Sequence, residues 1–130
     1  MRSVYDAIKV LSSLIPAVRT ASANGTGVDT KGYNSAMAVI NAGDIDLTTT
    51  DETYAFKIQD SADNSSFADV TGLTTAVTAD NDVKLIRIAG LATPTIRRYV
   101  RVVATLGGTT PSWPGSALIL LGNAYTEPVN

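Results

Sequence analysis

The sequence predicts an all-β fold, an antiparallel β-sandwich of about six to eight strands with an N-terminal arm or short helix. Three observations carry this reading. Thr53–Asp60 and Tyr99–Leu106 alternate apolar and polar residues with a period of two, the pattern of strands with one wet face. Turn residues recur at intervals near ten residues, too close for the long crossovers of a parallel α/β sheet. Only the N-terminal segment places apolar residues at helical spacing.

In chain order, residues 3–15 have the markings of a short helix. Ser3 and Asp6 resemble a capping box, Val4, Ile8, Leu11 and Ile15 recur at helical spacing, and Val10 and Leu14 widen the stripe. Pro16 disfavours helix at Ile15. Such a stripe either packs on its own domain or docks on a neighbouring subunit, so residues 1–16 are set apart as an arm and residues 17–130 as one sandwich domain. Ala17–Ser22 reads as a first strand, closed by the turn Asn24–Gly27. Ser35–Ala42 is a second, with small residues on one face where another layer approaches. Thr53–Asp60 turns Tyr54, Phe56 and Ile58 one way and Thr53, Lys57 and Gln59 the other. Phe67–Val70 is a short return or edge strand, and residues 74–82 are mostly loop. Val83–Ala89 is a further strand, and Pro94 marks the connection that follows. Val100, Val102, Ala104 and Leu106 then share one face of the next strand. Beyond the turn-rich Gly107–Gly115, Ser116–Leu121 is apolar on both faces, as in a strand covered on both sides or closing a sandwich. Jelly-roll and immunoglobulin-like topologies both suit this spacing.

Composition narrows the chemistry. A net charge of −2 gives no electrostatic case for nucleic acid. There is no cysteine for a disulfide or thiolate, and no histidine, the usual general base and metal ligand. No apolar stretch is long enough to span a bilayer, and Asp6 and Lys9 interrupt what would be a signal-peptide core. Pro114-Gly115-Ser116-Ala117-Leu118 lacks the second glycine of a nucleophile elbow, and Gly25-Thr26-Gly27 leads into neither glycine nor helix. The acidic residues gather in turns, where Asp bonds nearby amides. Asp60–Asp69 departs from a calcium loop, with Ala62 at the third place and Ser65 at the sixth. A carboxylate-based hydrolase is therefore the weakest class, and the expectation is a non-enzyme without cofactor or metal. Arg97, Arg98 and Arg101 form the basic cluster, paired either with the many Asp residues or with an acidic partner surface. Trp113 either caps the end of the sandwich or projects as an interface anchor. The candidate interface residues are thus Val4, Tyr5, Ile8, Leu11, Arg97, Arg101 and Trp113.

Three ordered passages carry a resemblance over roughly residues 17–123. They are Val18–Ala21 through Gly27–Ser35, then Phe56–Asn64 with Phe67–Val70, and Arg98–Val103 closed by Ala117–Gly122. Together they resemble small virion proteins of tailed bacteriophages, a loose group that includes head decoration, or cement, proteins. The resemblance implies a structural protein on the capsid exterior, made in the host cytoplasm, with the major capsid protein as partner. It also implies a homo-oligomer, such as a trimer, or lattice contacts between copies. It supplies no catalytic motif and no binding residues to transfer. A head–tail connector or tail subunit is the alternative within the virion, and a carbohydrate- or cell-surface-binding module the alternative outside it.

Overall fold

The computed structural model describes residues 3–89, 91 and 95–130. A four-residue helix, α1 (Val4–Ala7), is followed by nine strands: β1 (Lys9–Arg19), β2 (Ala23–Asn24), β3 (Val28–Asp29), β4 (Tyr33–Ala42), β5 (Thr53–Ser61), β6 (Ala68–Ala76), β7 (Val83–Ile88), β8 (Tyr99–Gly107) and β9 (Trp113–Ala124). They form two antiparallel sheets, one in the order β1-β9-β4-β7 and the other β2-β8-β5-β6 with β3 also on β8. The protein is an all-β sandwich, with nine strands among the described residues. Pro94 lies outside the described residues.

The alternating segments form strands because one side of each can be buried. Tyr54, Phe56 and Ile58 of β5, with Val100, Val102 and Ala104 of β8, meet Ala36, Ala38 and Ile40 of β4 and Ala117, Ile119 and Leu121 of β9. The alanines leave room for the bulkiest side chain, Trp113, which packs edge-on against Phe56 with centroids 4.8 Å apart and an interplanar angle of 63°.

Two segments differ most from the sequence reading, and the strand expected at Ala17–Ser22 is the end of β1, with β2 at Ala23–Asn24 reaching into the expected turn. The helix expected over residues 3–15 is confined to Val4–Ala7, where the Ser3 side chain accepts the Asp6 amide. From Lys9 the chain is strand, because pairing with β9 satisfies its backbone and buries Leu14, whereas a short isolated helix bears an unfavourable nucleus. Register shifts between Ser12 and Leu14 and between Leu14 and Ala17 bend β1 and let it carry Pro16 at an irregularity on the sheet edge. The second difference is β6, which runs on to Ala76 through residues expected to be loop. Gly72, at φ +84°, lies within it, in the stretch where the β5–β6 register shifts.

One buried hydroxyl ties the sheets together. Ser13 of β1 accepts the Val102 amide of β8 at 2.9 Å and donates to the Thr26 carbonyl at 3.0 Å. The approach is so close that a Cβ at Gly25 would lie 2.3 Å from the Ser13 oxygen, which accounts for the glycine.

Candidate docking face

Strand alternation gives each sheet an inner and an outer face, and the two outer faces differ in chemistry. On the four-stranded sheet, pairing aligns three outward rows. Val10, Leu120, Met37 and Arg87 form one, Ser12, Leu118, Val39 and Leu85 the next, and Ser116, Asn41 and Val83 the third. Arg87 is the one charged side chain on these rows. Leu85 is 58% exposed, Val83 52% and Val10 47%, while Met37, Val39, Leu118 and Leu120 are half-buried by one another. At one end of the face a groove of about 480 Å³ crosses three strands, floored by Ser35, Met37 and Leu120 and walled by Ile8, Leu85 and Arg87. Exposed Ile15 and Val18 of β1 add apolar surface along the sheet edge. Contiguous apolar surface with so little charge is the mark of an interaction site.

The outer face of the five-stranded sheet is polar and hydrogen-bonded within itself. Lys57 pairs with Asp69 at 3.0 Å, and Gln59 donates to Asp69 at 2.7 Å. Arg101 donates twice to Gln59, at 3.0 and 2.7 Å, and lies over the Phe67 ring at 4.0 Å. Burial pulls the Arg101 pKa down from its ordinary value.

The residues singled out from the sequence separate into three places. Val4 and Tyr5, 73% and 70% exposed, stand on α1 beside the groove, and Ile8 forms its wall. Leu11 turns inward and packs against the core. Arg97 and Arg101 belong to the other side of the molecule. Arg97 is held by Asp60, which accepts its backbone amide at 2.9 Å and its guanidinium at 2.8 and 3.0 Å. Those hydrogen bonds hold the Arg97 pKa above the usual arginine value. Trp113 is fully buried, with Arg19 stacked over its ring at 5.4 Å, so it takes no part in any surface.

The outward residues Met37, Val39, Leu85, Leu118 and Leu120 were not among those candidates. Their signal was present: Ser116–Leu121 is apolar on both faces, yet only its inner face is covered by the other sheet.

The turn carboxylates are occupied with their own backbones. Asp63 accepts the Ser66 and Ser65 amides at 2.9 and 3.0 Å and the Ser61 hydroxyl at 2.8 Å, which lowers its pKa to about 2. Thr49 donates to both Asp51 and Glu52, and both carboxyls lie below their ordinary values as a result. Among the described residues no three acidic side chains converge as metal ligands. No helix among them is long and apolar enough to cross a membrane. Compared with models of known protein families and with curated proteins, the chain matches none.

Proposed function

We propose that this chain is a non-enzymatic virion structural protein of the head-decoration kind, binding the outside of a phage capsid and stabilising the shell. The observation that supports it best is the apolar, nearly uncharged outer face of the four-stranded sheet, on a molecule whose other face is polar and internally satisfied. The ordered resemblance to phage virion proteins supplies the partner, the major capsid protein. Binding to the assembled shell and not to free capsid subunits stabilises the shell by mass action. Repetition over a symmetric lattice multiplies a weak single contact through effective concentration. The rows of the face contain no aromatic side chain, so a sugar-binding platform has less support here.

The test is a titration of the protein against mature capsid shells of its source phage. Saturable binding is expected, with hundreds of copies per particle, and it is lost in Val39→Lys and Leu118→Lys while the folded spectrum is retained. Absence of saturable binding by the unaltered chain sinks the reading, and about a dozen copies at one vertex moves it to a connector.

A further inference from the structure

We infer that two copies of this chain associate at the grooved end of the docking face, the N-terminal turn of each seated in the groove of the other. The turn is an apolar knob that no other described residue covers: Val4 and Tyr5 are the two most exposed large hydrophobic residues described. It is also held rigid. The Ser3 side chain caps it, the Val129 amide donates to the Asp6 carbonyl at 3.0 Å, and the Asn130 side-chain amide donates to the Tyr5 and Ile8 carbonyls at 2.6 and 2.8 Å. A turn whose backbone is already fixed loses less conformational freedom on docking.

The groove is the matching shape and charge. It is lined by Met37, Leu85 and Leu120, and Arg87 at its rim makes no ion pair among the described residues. An occupant should therefore bring an apolar side chain beside a carboxylate. Tyr5 and Asp6 are such a pair, and one oxygen of Asp6 is left open after Ser3 donates to the other. Knob and groove also share a wall. Ile8 lines the groove and, with Tyr5, Lys9, Val10 and Asn130, a smaller hollow of about 300 Å³ on the knob side. A knob adjacent to its own hole is self-complementary about a two-fold axis passing beside Ile8, the arrangement of an isologous dimer. That axis covers both exposed features at once and leaves Ser12, Leu118 and Val39, with the Val83 row, open to the shell. The pairing is a property of the isolated chain, so it goes beyond the capsid reading and stands or falls without it.

Sedimentation equilibrium and light scattering from about 1 µM to about 1 mM test it. A reversible dimer is expected, and Tyr5→Asp and Leu85→Asp each raise its dissociation constant by about 30-fold or more, as loss of a central anchor does. Mixed together, those two variants pair more tightly than either does alone, because one knob and one groove remain intact. Arg87→Glu weakens the dimer as well, and most at low salt. All three sites are exposed, and melting curves matching the unaltered chain verify folding. A monomer throughout the range, a dimer indifferent to these substitutions, or a closed trimer would overturn the inference.

Discussion

Trp113 separates a core role from a surface role in a single substitution. It is fully buried, stacked edge-on against Phe56 at 4.8 Å and covered by Arg19. Trp113→Ala therefore removes the largest buried side chain and leaves a void, a change that costs about 3–5 kcal/mol. For 130 residues the unfolding entropy is about 270 cal/mol/K, so each kcal/mol moves the midpoint by roughly 4 °C and the expected drop is about 11–18 °C. Trp113→Phe behaves differently. The indole N–H is buried without a hydrogen-bond partner among the described residues, so the smaller ring loses contact but also removes an unsatisfied donor. Its net cost is expected to stay within about 1.5 kcal/mol. Because this is the only tryptophan, unfolding is best followed by far-ultraviolet circular dichroism in urea, which reads all variants alike. A Trp113→Ala protein with unaltered stability that has lost its binding would refute this placement.

Two further outcomes follow from the ion pairs and the turns. Arg97→Ala is expected to lower the midpoint of a urea titration, because it strips a nearly buried Asp60 of its charged donor. Arg98→Ala, whose partner Asp29 is open to solvent, lowers that midpoint less, and equal losses would contradict the difference in burial. Asp63 has its pKa lowered to about 2 from 3.8, so its contribution is complete above the higher value and disappears as pH falls through the lower. Asp63→Asn should flatten the fall in urea midpoint across that window, and an unchanged acid slope would show that the Ser65 and Ser66 amides do not hold the charge.

Much of the fold was legible because burial on one side writes a period of two into the sequence. Tyr54, Phe56 and Ile58 of β5, and Val100, Val102 and Ala104 of β8, point inward as their alternation requires. The N-terminal segment misled for a specific reason. The irregularity between Ser12 and Leu14 turns both Leu11 and Leu14 toward the core, three residues apart, and that spacing imitates a helix turn. The docking face was half legible. The two-sided apolar character of Ser116–Leu121 was plain, but alternation cannot tell which side another layer covers. Nor could sequence pair Arg97 with Asp60, or bury Trp113, since both depend on strands brought together from distant parts of the chain.

The place of β9 bears on how the molecule is made. It is hydrogen-bonded to β1 on one side and to β4 on the other, with Lys9 facing Leu121. During synthesis the first strand therefore emerges from the ribosome long before the neighbour that will hold it, whereas β4 can already pair with β7. Until then Leu11 and Leu14 of β1 have no sheet to join, so the nascent protein depends on staying unaggregated through that interval.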